Sequence, residues 1–576
     1  MTAATHDLVV RGALIVDGSG GPAFEGDVAV DGDHIALVGT VTGTGREELD
    51  GRGLALAPGF IDPHTHLDAN LFWDPHVTPC SSYGVTTVVT GNCGYTLAPL
   101  PDAAARDYVI DALSFVEQIP RAAIEESVTF VAGTQADYFT ALDRLAVLCN
   151  FATFVGHVPV RTAVLGPDAV HERPATAEET ARIADLVADG LKLGAIGFST
   201  DQVVGNYGPR GGALPGQVCD DDELLAVAQV LGTNPGPGLF TMAPRALLQT
   251  RAEREADLEW HLRLAAASHK PVVVGPVFDR WSEPGVGYDL VALTAERSRA
   301  DAPVVPQIST RAFELWTRLD MPGLVVRALP TLNAALIAGG ADEMRRLATD
   351  ESARQALRDE GDRVAPTLIW SGRWEHVAMR WSPTRPELYG RNVRDIATEL
   401  QIHPTDVLLD VAIADNLETQ FAPSMANDDD DRLADMVAHP AAMIGASDAG
   451  AHVLSNTDSC YAVWTLQHWV RERRTLTLER AVRKLTADQA DLLGFADRGR
   501  LAPGLAADLV LFDPDRVATT GVRFVADQPA GGRRLVTDAT GIAASVVNGT
   551  VVTRDGSPVG AHPGRFLRPV VSAGVA

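Results

Sequence analysis

Two histidines in the run PGFIDPHTH are the residues of this sequence with the clearest capacity for chemistry. His64 and His66 close an apolar segment that is typical of a short buried strand. Side chains alternate along an extended chain, so residues two positions apart point to the same side. Two imidazoles on one side of a strand end suit a single metal ion. A His-x-His pair alone is a weak signal, and the buried strand before it strengthens the prediction.

The second candidate ligand is Cys93, just beyond the apolar run in VTTVVTGNCGY. The flanking Gly91 and Gly94 indicate a close approach of the backbone, at which a thiolate can reach an ion. The alternative is a buried thiol that acts as a small apolar side chain. The spacing alone leaves both open.

The third candidate is Asp448, which ends the apolar run in IGASDAGAH. A carboxylate at this place can bind a metal and take a proton from an attacking water. The alternative is an aspartate that caps a helix. His452, four residues later, lies either next to the ligands or simply in the same loop.

The elements that must position these residues lie between about residues 58 and 490. Amphipathic helices separate apolar runs there, and one of them opens with a capping box at Thr176 and Glu179 and ends at Gly194. Eight strand–helix alternations predict an α/β protein with a (β/α)8 barrel, whose active sites form at the C-terminal ends of the strands. The predicted strands are 59–64, 85–91, 151–157, 194–200, 238–242, 271–276, 303–308 and 441–448.

The two chain ends have a different sequence pattern from the middle of the chain. Residues 1–57 and 491–576 contain short alternating runs with Gly and Asp turns, including an Asn-Gly turn at Asn548. We therefore expect both ends to build one small β domain beside the barrel of residues 58–490. The stretch from about 309 to 440 is too long for one crossover connection and predicts an inserted subdomain.

Composition limits the partners of this chain of 576 residues. Acidic residues outnumber basic ones by 75 to 48, which gives a net charge of -27 that repels phosphate backbones. We therefore expect a small-molecule substrate and no nucleic acid. Five scattered cysteines indicate a reduced, cytoplasmic protein. The sequence shows no signal peptide and no apolar run long enough for a membrane span. A homo-oligomer is compatible with it.

Taken together, PGFIDPHTH, VTTVVTGNCGYTLAP and IGASDAG resemble the amidohydrolase superfamily, in particular its N-acyl-D-amino-acid deacylase (D-aminoacylase) branch. FVGHVPVR (154–161), GAIGFST (194–200) and the run at 484–514 extend the similarity over nearly the whole chain. The resemblance implies a distorted TIM barrel with a small β-sandwich formed by both chain ends. It also implies a Zn2+ site whose ligands match His64, His66, Cys93 and Asp448.

The sequence departs from that branch at two expected ligands. The branch has a histidine at the end of strand five and another at the end of strand six, where Met242 and Pro276 stand here. Neither side chain offers zinc a nitrogen. The only histidines nearby in the sequence are His261 and His269, one predicted inside a helix and one before strand six. We expect neither to reach the site.

The positions of the lysines also favour a site with few metal ligands. Many two-metal relatives join their ions with a carboxylated lysine, but Lys192, Lys270 and Lys484 are the only lysines here, and none is expected at the C-terminal end of a strand. Cys93 is then the only visible candidate for a bridge. A site with about four ligands favours one zinc ion over two.

The branch also holds the substrate carboxylate with a lysine after strand six and an arginine after strand eight, and both are missing here. Arg161 is the nearest basic candidate for substrate binding, or an ordinary structural arginine. His157 binds metal, binds substrate, or is a hydrogen-bonded structural histidine. Gln307, at the end of strand seven, is a candidate donor to a substrate carbonyl.

The sequence therefore predicts a metal-dependent hydrolase of a C–N amide bond, in which Asp448 removes a proton from water and later delivers it to the leaving nitrogen. Two alternatives stay open. One is another enzyme on the same scaffold, such as a cyclic-amide hydrolase, a lactonase or a decarboxylase. The other is a non-catalytic binding protein that kept the fold.

Overall fold

Parallel strands at the centre of the molecule carry the candidate site. The computed structural model describes residues 5–128, 133–204, 208–209, 212–247, 249–321, 323–366 and 370–569. We number the central strands one to eight in chain order, with the third in two segments: Phe60–Asp62, Val85–Thr90, Asn150–Thr153 with Val155–Gly156, Gly197–Asp201, Leu239–Ala243, Val272–Val274, Val304–Ile308 and Met443–Ile444.

These strands form two parallel sheets that follow the order of the chain. Strand one, strand two and the first segment of strand three make one sheet, and the remaining segments make a six-stranded sheet. Backbone bonds join the two, since the Phe154 N–H donates to Thr90 O at 3.1 Å. At the opposite edge, an isolated parallel bridge pairs Thr65, beyond strand one, with Ala449, beyond strand eight.

Alternation along the strands separates an inner face from an outer face. Val273 of strand six belongs to a cluster with Ile61, Val89 and Leu239 from other central strands. Its neighbours Val272 and Val274 instead pack in the large core that includes the surrounding helices. The bounds of those helices are Ala103–Val116, Arg121–Ser127, Gln135–Leu142, His157–Leu165, Ala177–Leu193, Pro215–Val218, Asp221–Thr233, Arg251–Ser268, Val286–Arg297, Asp430–Ala438, Tyr461–Trp464, Leu478–Leu485 and Ala487–Leu493.

Both chain ends contribute strands to one nine-stranded sheet. Its middle is an antiparallel pair in which Leu509 lies opposite Pro58 and Phe512 opposite Ala55. A separate hairpin is formed by Ala518–Gln528 and Gly532–Thr540. The strands of the nine-stranded sheet are Thr5–Ile15, Phe24–Asp31, His34–Gly39, Thr44–Asp50, Ala55–Pro58, Leu509–Phe512, Ile542–Val547, Thr550–Arg554 and Ser557–Pro558.

The region between strands seven and eight has a core of its own, which includes Trp370, Trp374 and Phe421. Its elements are the strands Phe313–Glu314, Val377–Trp381 and Gln420–Ala426 and the helices Leu324–Ala328, Pro330–Gly339, Ala341–Thr349, Glu351–Gly361, Val393–Leu400 and Pro404–Ala414. None of the helices within the described residues is both long and apolar enough to cross a membrane.

A buried polar network connects the nine-stranded sheet to central strand three. Asp508, which precedes the strand Leu509–Phe512, accepts hydrogen bonds from the Asn150 side chain at 3.0 Å and the Asn548 N–H at 2.8 Å. It also forms an ion pair with Arg498, and both side chains are nearly inaccessible to solvent. Because a buried charge needs a partner, Arg498 neutralises a carboxylate that water cannot reach.

We expect the variant Arg498→Met to lower the free energy of unfolding by about 3–5 kcal/mol, because it leaves the Asp508 carboxylate buried and unpaired. Equilibrium unfolding in urea measures the change. The matched control is Arg500→Met, which removes an arginine 36% exposed and paired with Asp491; it is expected to cost less than about 1 kcal/mol. Equal losses in the two variants would contradict the role given to Arg498.

Candidate active site

Four potential metal-binding side chains converge where the first, second and eighth central strands end. His64 Nε2 lies 3.3 Å from Asp448 Oδ1 and 3.5 Å from Cys93 Sγ. His66 Nε2 lies 3.6 Å from the same carboxylate oxygen. The two histidines and Cys93 each place a ligand atom within 4.8 Å of the others. The structure thus brings together the four residues that the sequence singles out.

The backbone holds His64 and His66 beyond the end of strand one, not within it. Strand one stops at Asp62, and the chain continues extended because the Thr65 N–H donates to Val89 O at 3.0 Å. On the other side, the His66 N–H donates to Ala449 O at 2.7 Å. Contacts to the second and eighth strands therefore replace strand pairing and keep both imidazoles on one side.

Two of the four candidate ligands have left-handed backbone conformations, which are uncommon outside glycine. The φ angle is 51° at Cys93 and 50° at Asp448. Such conformations cost energy and persist only where the surroundings enforce them. At Cys93, the Asn92 side chain donates to Val89 O at 3.1 Å, and Ser199 Oγ accepts from the Gly94 N–H at 3.0 Å. These bonds fix the turn that points the thiol at the histidines.

Gln307 orients His64. The Gln307 side-chain N–H donates to Gly445 O at 3.3 Å, so its oxygen is left to accept from His64 Nδ1 at 2.9 Å. With the proton on Nδ1, His64 Nε2 keeps its lone pair toward Cys93 and Asp448. Burial also lowers the pKa of His64, which favours the neutral ring. We therefore revise the predicted role of Gln307 from a substrate contact to a residue that orients the candidate metal ligand His64.

Glu117 is a buried residue of the site that the sequence analysis did not identify. It follows the helix Ala103–Val116, and its Oε1 lies 3.6 Å from His66 Nδ1, a ring nitrogen with no hydrogen bond. The backbone carbonyl of Glu117 accepts from the His452 N–H at 2.5 Å, which ties this helix end to the loop that carries Asp448. A carboxylate behind an imidazole is a common way to orient a metal-binding histidine.

We expect Glu117→Gln to weaken zinc binding by about 10–100-fold, because the neutral amide no longer attracts the Nδ1 proton of His66. Titration of the protein against a zinc chelator measures the dissociation constant. Glu125→Gln serves as the control, since Glu125 pairs with Arg121 on the surface. Glu117→Asp should restore part of the affinity. An unchanged zinc affinity in Glu117→Gln would refute this role.

His157 and Arg161 take part in a buried ion-pair network instead of facing open space. His157 Nε2 lies 2.7 Å from Glu223 Oε1, and its Nδ1 lies 2.8 Å from Thr200 Oγ1. Arg161 donates to the same Glu223 oxygen at 3.0 Å and is fully buried. We therefore revise the predicted substrate contacts: among the alternatives for His157, the structural histidine fits this geometry. His157 and Glu223 also cluster with Cys219 as potential metal ligands, but the adjacent guanidinium disfavours a cation there.

The strand register shows which residues face the site at strands five and six. Met242 pairs with Val274, and both pack in the core shared with the helices. The next positions, Ala243 and Gly275, therefore face inward, since side chains alternate along each strand. His261 lies within the helix Arg251–Ser268 and His269 caps it. Within the described residues, neither strand brings a histidine to the site.

Two further charged residues lie near the mouth and were not identified from the sequence. Asp201 ends strand four beside inward-facing Ala243. Burial raises the pKa of Cys93 to about 12, and the charges of Glu117 and Asp201 act in the same direction. Arg311, three residues beyond strand seven, lies 3.4 Å from Asp458 Oδ1 and 4.9 Å from the centre of the Trp464 ring. Burial raises the pKa of Asp458 to about 6, and the charge of Asp448 acts in the same direction.

The donor set fits a zinc ion. Zinc prefers imidazole, thiolate and carboxylate ligands at about 2.0–2.3 Å in a tetrahedron, which places neighbouring ligand atoms about 3.3–3.8 Å apart. The His64–Asp448, His64–Cys93 and His66–Asp448 separations of 3.3, 3.5 and 3.6 Å match these edges. The two histidines and Cys93 form the compact group, and Asp448 contacts both histidines, so these separations are compatible with one ion.

Comparison with known proteins finds similarity over nearly the whole chain. The sequence profile of the amidohydrolase family matches residues 47–553. The N-acyl-D-aspartate deacylase of Alcaligenes xylosoxydans xylosoxydans is 31% identical over 570 residues, which cover 98% of this chain and 96% of that protein.

Solved structures agree with the sequence relatives. A D-aminoacylase with a binuclear metal centre superimposes with a TM-score of 0.67 and 29% identity, over 98% of this chain and 100% of its own. The N-acyl-D-glutamate deacylase of Bordetella bronchiseptica, complexed with zinc and a phosphonate inhibitor, superimposes with a TM-score of 0.66 and 26% identity. The match covers 98% of this chain and 100% of that one. The chain therefore belongs to the amidohydrolase family, and it is an amidohydrolase that acts on carbon–nitrogen bonds other than peptide bonds.

Proposed function

We propose that this chain is a zinc-dependent deacylase that hydrolyses the amide bond of an N-acyl-D-amino acid. The observation that carries the proposal is the convergence of His64, His66, Cys93 and Asp448 at the ends of three central strands. The similarity to an N-acyl-D-aspartate deacylase and to a zinc-containing N-acyl-D-glutamate deacylase supports it. One ion per chain is our proposal, because the inward positions Ala243 and Gly275 offer no side-chain ligand.

We infer the domain organisation from the same strands. The eight central strands and their helices form a distorted (β/α)8 barrel over residues 58–490, with an inserted subdomain at about 309–440. Residues 1–57 and 491–576 form a β-sandwich domain. The bridge between Thr65 and Ala449 supports closure of the barrel, and the shared sheet of the two chain ends supports the composite domain.

A zinc ion bound by these residues would activate water and polarise the amide carbonyl. Asp448 is the residue placed to move protons, since 24% of its side chain is exposed, against 4% for His64 and 2% for His66. Burial acts to raise the pKa of Asp448, but the hydrogen bond to His66 and the charge of that ring hold it below the ordinary value. Asp448 is thus ionised and accepts the proton of water, which it then gives to the leaving nitrogen.

Arg311 is the cation that we propose for the substrate carboxylate. Its guanidinium contacts the strand-eight loop through Thr457 O at 3.1 Å and Asp458 Oδ1 at 3.4 Å. Arg161 is fully buried in its pair with Glu223 and cannot take this role as placed, whereas 22% of the Arg311 side chain is exposed. Arg311 therefore offers a positive charge beside the loop that carries Asp448, in place of the two cations expected from the branch.

We propose the cytoplasm as the location of the enzyme. All five cysteines are free, which supports a reduced environment.

A substrate panel tests the proposed activity. We expect the zinc-loaded protein to release amino acid from N-acetyl-D-aspartate, N-acetyl-D-glutamate or N-acetyl-D-methionine, and to ignore the L-enantiomers. Removal of the metal with a chelator should abolish turnover, and added zinc should restore it. Hydrolysis of hydantoins or lactones without any deacylation would show that the chain is instead a cyclic-amide hydrolase or a lactonase on the same scaffold. Full activity of metal-free protein would exclude the mechanism.

A further inference from the structure

A second pocket lies at the N-terminal end of the central strands, on the face opposite the candidate active site. Its volume is about 560 Å³, and it is lined by residues at the start of strands six, seven and eight and by the helices Leu478–Leu485 and Ala487–Leu493. We call it the lower pocket. A pocket of this size suits a small organic molecule.

One wall of the lower pocket is apolar. Val305, Met443 and Leu492 pack against the inner cluster of the barrel strands but remain only half-buried, and all three line the pocket. The inner face of the barrel is therefore partly open to water at this end. Covering such surface with a hydrocarbon group is favourable.

The other wall carries an unpaired positive charge. The two acids of the lining are already neutralised, since Arg483 lies 2.8 Å from Asp488 and Arg500 lies 2.6 Å from Asp491. In the part of the chain that the structure describes, no carboxylate forms an ion pair with the half-buried Arg480.

A second cation beside Arg480 adds to the positive potential. Lys484 is buried and donates to His439 O at 2.9 Å and Ala442 O at 2.7 Å, so its ammonium contacts carbonyls and no carboxylate. Burial and the charge of Arg480 lower the pKa of Lys484 to about 8. Because Lys484 is held by these carbonyls, Arg480 is the group free to pair with a ligand.

We propose that the lower pocket binds a small organic carboxylate with an apolar chain. Its carboxylate pairs with the Arg480 guanidinium, and its chain lies along Val305, Met443 and Leu492. This site is separate from the catalytic site and independent of the function proposed for it.

Isothermal titration of the zinc-loaded protein with octanoate tests the proposal. We expect octanoate to bind at least about tenfold more tightly than octanamide, which has the same chain without the charge, and than acetate, which lacks the chain. Arg480→Gln should weaken octanoate binding at least about tenfold. Arg474→Gln, which removes an exposed arginine of the same region, should leave it unchanged.

Leu492→Gln provides a second variant, expected to weaken octanoate but not acetate, with folding checked by circular dichroism. Equal octanoate affinity in Arg480→Gln and Arg474→Gln would overturn the proposal, because binding would then occur elsewhere, the catalytic end included. Equal binding of octanamide, or no binding of octanoate at about 10 mM, would overturn it as well.

Discussion

Replacement of Asp448 by asparagine is expected to lower kcat by about 10²–10⁴-fold, the range by which a positioned acid–base group accelerates proton transfer. The amide has nearly the shape of the carboxylate but cannot accept a proton from water or return one to the leaving nitrogen. The contacts of residue 448 with His64 and His66, at 3.3 and 3.6 Å, also lose the negative charge of the carboxylate. Steady-state hydrolysis of an N-acyl-D-amino acid measures the loss.

The comparison that isolates proton transfer uses Asp428→Asn. Asp428 is also largely buried, with 10% of its side chain exposed, but it contacts His376 and Arg432 in the inserted region and not the candidate ligands. We expect nearly unchanged turnover in that variant. Bound zinc should be counted in both proteins, since a loss of the ion in Asp448→Asn would assign the effect to ligation. Retained zinc with undiminished kcat would show that another group carries the proton.

The candidate ligands could be predicted because each depends on a local pattern. His64 and His66 are two apart in extended chain, and the glycines around Cys93 form the turn that the sequence indicates, with φ of 79° at Gly91 and 85° at Gly94. The helix Ala177–Leu193 begins with the predicted capping box of Thr176 and Glu179. Side-chain identity and backbone conformation are linked at such positions, so short segments suffice.

Residues that act through distant contacts could not be assigned in the same way. Gln307 reaches His64 across 243 positions of the chain, and no local pattern distinguishes a glutamine that faces substrate from one that holds an imidazole. Arg161 is another example, since its partner Glu223 comes from a later helix. For Glu117, the sequence offers only a weak signal, a glutamate that follows a helix, and does not show that its side chain faces His66.

Register marks a further limit of the sequence argument. The sequence places Met242 where a histidine is expected, but the structure turns Met242 toward the helices and Ala243 toward the site. A shift of one residue exchanges the two faces of a strand. The conclusion about missing ligands is unaffected, because neither side chain binds zinc.

The metal content of the protein gives the other prediction with a large expected effect. We expect elemental analysis to find about one zinc ion per chain, and His66→Asn to hold less than about a tenth of that after dialysis and to lose activity at least about 10³-fold. The reason is geometric: His66 is one of four ligands in the proposed site, and three ligands would leave the ion weakly held. His261→Asn is the matched control, since His261 is equally buried but lies in the helix Arg251–Ser268. If His66→Asn kept a full equivalent of zinc, His66 would not be a ligand. Two ions per wild-type chain would instead require a second set of ligands. The first candidate would be Asp201, which ends strand four near Cys93, and its replacement would test that set.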